Sequence, residues 1–276
     1  MFHAAPLARA LLSEEELAHI RRIRVVDAGH GHDRFGMSQA GIAAALGAFR
    51  PLYRDYFRVM SHGAEHVPAD GAAILAANHS GTLPLDAMML CCDVAWQADP
   101  PRALRVVMDH FVDLLPGVGR FFTRAGGIGG SRGNFHSLLD AGELIGVFPE
   151  GVPGIGKRYS ERYQLQEWRI GHAELAIRHQ VPVVPVAIIG AEESWPQLTR
   201  IPIRMFGSPY LPIPATPLPV PARFHIHYGP PIPIPDLYDR GDAMRAGPVR
   251  EAAGRVRDAV AALIATGLAQ REGVFR

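Results

Sequence analysis

Apolar residues recur along this chain with two different periods. Short apolar runs of strand length occupy 57–61 (FRVMS), 73–77 (AILAA), 104–108 (LRVVM), 144–148 (LIGVF), 183–189 (VVPVAII) and 223–228 (RFHIHY). Longer stretches of helical length fill 85–95, 132–141, 167–180 and 249–269. Strands that alternate with helices predict an α/β domain whose sheet is covered on both faces.

The first 56 residues follow another pattern and read as a helical extension preceding a domain over 57–276. Ser13 followed by Glu16 fits a capping box, and Leu17, Ile20 and Ile23 share one face of the helix it opens. Residues 27–36 (DAGHGHDRFG) predict a loop. A second helix over 37–56 ends in a basic-aromatic run with Tyr53, Arg54, Tyr56 and Arg58, which suits either a membrane surface or the domain's own core. Within the domain, residues 202–235 hold 11 of the 24 prolines. Apolar residues interleave these prolines, which predicts a connection held against the domain. Pro182 and Pro185 interrupt the 181–186 run (VPVVPV) and predict an edge or irregular strand.

Composition narrows the classes. The 276 residues are 48% hydrophobic and 20% charged, enough apolar material for a sizeable core. A net charge of +1 argues against a nucleic-acid-binding module. The only cysteines, Cys91 and Cys92, are adjacent and read as buried reduced thiols of a cytosolic protein. The N-terminus lacks the pattern of a signal peptide, and no apolar run reaches about 18 residues, so membrane contact is expected to be peripheral, on the inner face. Every basic residue except Lys157 is arginine.

Four stretches carry candidate chemistry. In 76–86 (AANHSGTLPLD) an apolar strand runs into Asn78 and His79, then a turn, then Pro84 and Asp86 at a helix start. A carboxylate there can hold one ring nitrogen of His79 and fix its tautomer; both residues also suit a plain cap. In 119–124 (GRFFTR), Gly119 and Phe122 precede Arg124, whose planar guanidinium matches phosphate. In 144–162 a buried strand ends in Phe148, Pro149, Glu150 and Gly151, followed by Lys157, Arg158 and Arg162 in a Gly-rich loop suited to an anion. The fourth stretch is VPVVPV itself, with Pro185.

In this order the four stretches resemble the motifs of the lysophospholipid acyltransferase family, also called the glycerolphosphate acyltransferase superfamily, over about residues 55–230. The resemblance implies a central mixed β-sheet flanked by helices. It also implies transfer of a fatty acyl group from a coenzyme A or acyl-carrier-protein thioester to a lipid hydroxyl, with no metal and no other cofactor. His79 would be the general base and Asp86 its orienting acid. Asn78, Ser80, Gly81, Gly119, Phe122, Arg124, Phe148, Pro149, Glu150, Gly151 and Pro185 would line the substrate site, the Ser80 and Gly81 amides serving as oxyanion donors. Two departures stand out. Six residues, not four, separate His79 from Asp86. Val152-Pro153 stands where the third motif has Thr-Arg, so Lys157, Arg158 or Arg162 would have to supply the phosphate contact. A lysophospholipid is the first acceptor implied and a neutral alcohol such as diacylglycerol the second.

Other readings weigh less. Residues 151–157 fit G-x-x-x-x-G-K, but Arg158 stands where a nucleotide-binding loop needs Ser or Thr. Residues 129–133 fit the G-x-S-x-G hydrolase elbow around Ser131, but the preceding AGGIGG is a poor strand. A lipid-binding homologue without catalysis would account for the stretched His–Asp spacing. The histidines other than His79, His30 and His32 among them, lack a ligand cluster at metal-binding spacing and read as structural.

Overall fold

The computed structural model describes residues 6–80, 84–108, 117–201, 203 and 211–276. Three helices open the chain: α1 (Pro6–Leu11), α2 (Glu14–Arg21) and α3 (Gln39–Pro51), the last running into a π-helical turn at Leu52–Tyr56. Then follow β1 (Met60–His62), β2 (Ala73–Ala77), α4 (Leu85–Gln97), β3 (Leu104–Met108), α5 (Val118–Ala125), β4 (Ile128–Gly129), α6 (Arg132–Asp140) and β5 (Leu144–Val147). The second half comprises α7 (Val152–Ile155), α8 (Gly171–His179), β6 (Val183–Ile189), α9 (Ala191–Ser194), the hairpin β7 (Gln197–Ile201) and β8 (Leu211–Pro214), β9 (His225–Tyr228), α10 (Ile234–Leu237) and α11 (Ala246–Gln270).

Seven strands form one sheet in the order β1-β9-β6-β2-β5-β3-β4, and β7-β8 form a separate pair. The centre is parallel: β2 pairs with both β5 and β6. Strand β9 runs antiparallel to β6, so the sheet is mixed, as the family resemblance implies. Alternation along β2 divides the core. Ala73, Leu75 and Ala77 face a cluster built with α1–α4, while Ile74 and Ala76 face one built with α6, α8 and α11. Both faces of the sheet are therefore covered, which is why its central strands read as unbroken apolar runs.

The N-terminal helices pack on the sheet. Ser13 and Glu16 form the expected capping box, and Leu17, Ile20 and Ile23 are buried in the same cluster as Leu75. Helix α3 buries Ile42, Ala43 and Leu46 there, and Tyr53 in the π-turn is buried as well. The 27–36 loop is fastened by Asp33, which accepts from the Phe35 and Met37 amides and pairs with the fully buried Arg105 at 2.5 Å. Breaking a buried pair of this kind typically costs about 3–5 kcal/mol.

One expectation fails. Strand β6, with Pro185 inside it, is a fully buried interior strand, not an edge. Pro182 precedes the strand. Pro185 falls where the chain beyond β9 bends away: its carbonyl accepts from Gly229, and its own position lies between the Val183–Ile232 bridge and the β9 ladder that starts at Val186–Tyr228. An amide donor is not needed at that interruption, so a proline costs nothing there.

Candidate active site

His79 lies just beyond the carboxyl end of β2, the edge at which open α/β sheets bind ligands. Asn78 anchors the strand end by exchanging two hydrogen bonds with the backbone of Ile188 on β6: Nδ2 donates to the Ile188 carbonyl at 2.9 Å, and the Ile188 amide donates to Oδ1 at 2.7 Å. Asn78 therefore braces the site and does not line it. The longer spacing is accommodated: Asp86, in the first turn of α4, lies 2.6 Å from His79 Nδ1. The same Oδ2 accepts from the Ser80 amide at 2.8 Å, while Oδ1 accepts from the Ala87 amide at 2.8 Å. A carboxylate at a helix N-terminus with two amide donors is fixed in orientation.

The Ser80 amide is thus committed to Asp86 and is not free to bind an oxyanion, which corrects that part of the sequence reading; Gly81 lies outside the described residues. Phe148 packs against the His79 ring with centroids 4.5 Å apart.

Glu150 proves to be internal scaffolding. It is buried, and its Oε1 accepts from the His79 amide at 2.9 Å while Oε2 accepts from the Gln166 amide at 2.8 Å. Lys157 Nζ lies 3.4 Å from Glu150 Oε2 and 2.7 Å from Glu192 Oε1. Burial pushes the Glu192 carboxyl up, and the Lys157 charge opposes this. Lys157 is therefore buried between two carboxylates and lines neither cavity beside His79. Residues 152–155 form one helical turn instead of a phosphate-cradling loop. Arg158 and Arg162 are exposed, the latter stacked on Tyr159. Arg124 lines neither cavity either: its backbone packs under Gly41 of α3, where an added Cβ would come within 2.3 Å of the Arg124 carbonyl oxygen. Gly119 and Pro185 are buried away from both cavities. Ser131 caps α6 by accepting from the Asn134 amide.

Two cavities meet at His79, one on each face of the sheet. The first, about 250 Å³, lies between α3, α4 and α5 and is walled by apolar groups such as Leu46, Phe49, Met88, Cys91, Phe122 and Phe148. Burial pushes the Cys91 thiol up to about 12, so it is an apolar wall group and not a nucleophile. The second, about 400 Å³, opens between α6 and α8 and is walled in part by Arg132, His136, Arg169, His172 and Glu174. Sequence reasoning missed Arg169. Its guanidinium carbon stands 3.3 Å from where a Cβ on Gly151 would sit, directly over the third motif. Gly151 also has a φ of +56°, a second reason for glycine there. Pro149 fixes the approach, its carbonyl accepting from the Arg169 amide at 3.0 Å. Among the described residues, no helix is long and apolar enough to cross a membrane.

Known proteins resemble this chain in sequence and fold. The profile of the family described as Acyltransferase matches residues 58–189. An uncharacterized protein of Mycobacterium tuberculosis is 39% identical over 258 residues, covering 88% of this chain and 71% of its own. A Bos taurus protein named DGAT1/2-independent enzyme synthesizing storage lipids is 26% identical, covering 88% of this chain and 69% of its own. The crystal structure of the 1-acyl-sn-glycerophosphate acyltransferase PlsC from Thermotoga maritima superposes with a TM-score of 0.57 at 18% identity, covering 85% of this chain and 83% of that one. With the profile, the M. tuberculosis relative and the fold in agreement, the chain belongs to the acyltransferase family of the glycerolphosphate acyltransferase superfamily.

Proposed function

We propose that this acyltransferase moves a fatty acyl group from a coenzyme A or acyl-carrier-protein thioester to a lipid hydroxyl at a membrane surface, with His79 as general base. The observation that carries the reading is the position of the His79–Asp86 pair where an apolar and a polar cavity meet. The apolar cavity suits the acyl chain. The polar one, with Arg132 and Arg169, suits an anionic group.

With Nδ1 engaged by Asp86, Nε2 is the nitrogen left for substrate. It takes the proton of the acceptor hydroxyl as that oxygen attacks the thioester carbonyl. Asp86 steadies the imidazolium that forms. Collapse of the tetrahedral intermediate breaks the carbon–sulfur bond, and the imidazolium proton passes to the departing thiolate. A positioned base of this kind is worth about 10²–10⁴-fold in rate.

The favoured acceptor is a lysophospholipid, because the two guanidiniums offer paired hydrogen bonds to phosphate. A neutral alcohol such as diacylglycerol is the second reading. It is favoured by the storage-lipid relative and by the absence of the usual arginine after Gly151. The test is transfer of labelled acyl groups to both acceptor classes by wild type, His79→Ala and Arg169→Ala. Transfer that needs His79 is expected, and loss at Arg169→Ala confined to phosphate-bearing acceptors marks the first reading. A folded His79→Ala variant that keeps most of its activity would overturn the mechanism. Equal dependence of both acceptors on Arg169 would place the guanidinium on the donor.

A further inference from the structure

Strand β9 alternates sharply. Phe224 just before it, Ile226 and Tyr228 enter the core on one face. His225 and His227 turn to the other face, beneath the end of α11, where both are buried. Strand β1 lies parallel to β9 with His62 in register with His227. The pairing brings three imidazoles together. The His62 ring stacks on His227 with centroids 4.3 Å apart and on His225 at 5.6 Å, and His62 Nε2 is 3.4 Å from His225 Nδ1.

One ring nitrogen can be chosen from each residue such that all three lie within 4.8 Å of one another. The Nε2 atoms of His225 and His227 are buried with no hydrogen-bond partner. A buried polar nitrogen left unpaired costs about 1–3 kcal/mol, so the two call for a partner. The helix above comes close to the pair: a Cβ at Gly267 would lie 2.6 Å from His227 Nε2, so only glycine lets α11 pass over the ring.

We propose that His62, His225 and His227 form a binding site for one late first-row divalent metal ion, with Zn²⁺ as the reference case. Imidazole nitrogens suit this class, whereas Mg²⁺ and Ca²⁺ require oxygen ligands. Three histidines and a water make a familiar zinc set at about 2.0–2.1 Å per nitrogen, a geometry that requires the half-buried His62 ring to turn out of its stack on His227. Arg223 and Arg271 bring positive charge to the neighbourhood; Arg271 is already paired with Glu193, whose carboxylate counters it. Strand β6 separates β9 from β2, so the ion would join edge strand β1 to β9 and the end of α11 without entering the His79 site.

The test is metal content of tag-free protein by mass spectrometry, then titration with Zn²⁺ and with Co²⁺, whose visible bands report four-coordinate nitrogen ligation. One equivalent per chain is expected, with a melting temperature that falls when a chelator removes it. His227→Gln and the less buried His62→Ala are each expected to weaken binding at least about a hundredfold. Acyl transfer by the zinc-free protein is expected to continue at a temperature where it stays folded. Failure of the folded wild type to take up a stoichiometric ion would overturn the proposal, as would binding that is unchanged in folded His62→Ala.

Discussion

Helix α4 carries two carboxylates, Asp86 and Asp93, two turns apart and both fully buried. Asp86 holds a histidine and two backbone amides from its own neighbourhood. Asp93 accepts from three hydroxyls drawn from distant parts of the chain: Tyr53 at 2.6 Å, Ser61 at 2.8 Å and Tyr228 at 2.7 Å. The two acids share chemistry, burial and helix, and they differ in what the partner can do next. An imidazole has a second nitrogen and the His79 ring borders both cavities, so in the proposed mechanism the carboxylate acts through it. A hydroxyl held by a buried carboxylate only locks the π-turn, β1 and β9 to the helix. Burial of an acid therefore does not mark a catalytic group; the partner's remaining valence does.

The comparison can be broken by four measurements. Asp86→Asn, which keeps the shape and one acceptor oxygen, is expected to cut turnover by about 10²–10⁴-fold, because the base loses its tautomer and its counter-charge, at a smaller cost in stability than removal of Asp93. Asp93→Ala is expected to do the reverse. It leaves three hydroxyls unpaired and costs about 3 kcal/mol or more of stability in urea unfolding, while activity per folded molecule stays within a fewfold of wild type. Similar losses of activity in both variants would show that the two acids are not separable. Removal of single partners is next: Tyr228→Phe and Ser61→Ala should each cost about 1–2 kcal/mol. The smallest effect is a pH slope. Burial raises the Asp93 carboxyl above 3.8, against the pull of its three hydroxyl donors. Between 3.8 and that raised value the folded chain binds more proton than the unfolded one, so stability falls as pH climbs through the window. Asp93→Asn should abolish that fall; an unchanged slope assigns it to another group.

Another face of the same helix borders the apolar cavity. Cys91 lies between the two acids and points into the apolar cavity. Cys91→Phe should shorten the accepted acyl chain, with about tenfold discrimination against the longest donors, because each methylene excluded is worth about 1–3 kcal/mol. A chain-length profile that does not move would place the acyl group elsewhere.

Most of the sheet was legible in the sequence. Strands β2, β3 and β6 coincide with their apolar runs, because strands buried on both faces leave uninterrupted apolar text. The β7–β8 pair was not legible: it stands apart from the main sheet and lies partly within the proline-rich stretch. At the site, His79 and Asp86 were readable because strand end, turn and helix start are local features. Arg124 and Lys157 were misplaced because a basic residue in a motif does not disclose whether its charge faces a cavity or a buried acid. Arg169, Glu192 and the hydroxyl partners of Asp93 reach their places only through tertiary packing, and the three-histidine cluster exists only once β1 pairs with β9.

The buried Lys157 has a further consequence for a protein of this class. Acyl thioesters react unaided with exposed primary amines, and an enzyme that concentrates them risks modifying itself. Lys157 is the chain's only lysine, and its side chain is 2% exposed. The folded surface therefore presents arginine guanidiniums, too weakly nucleophilic to be acylated, wherever a lysine would have served for charge. Amine-directed reagents have no side-chain target until the core around Glu150 and Glu192 opens, which makes Lys157 a built-in reporter of that opening.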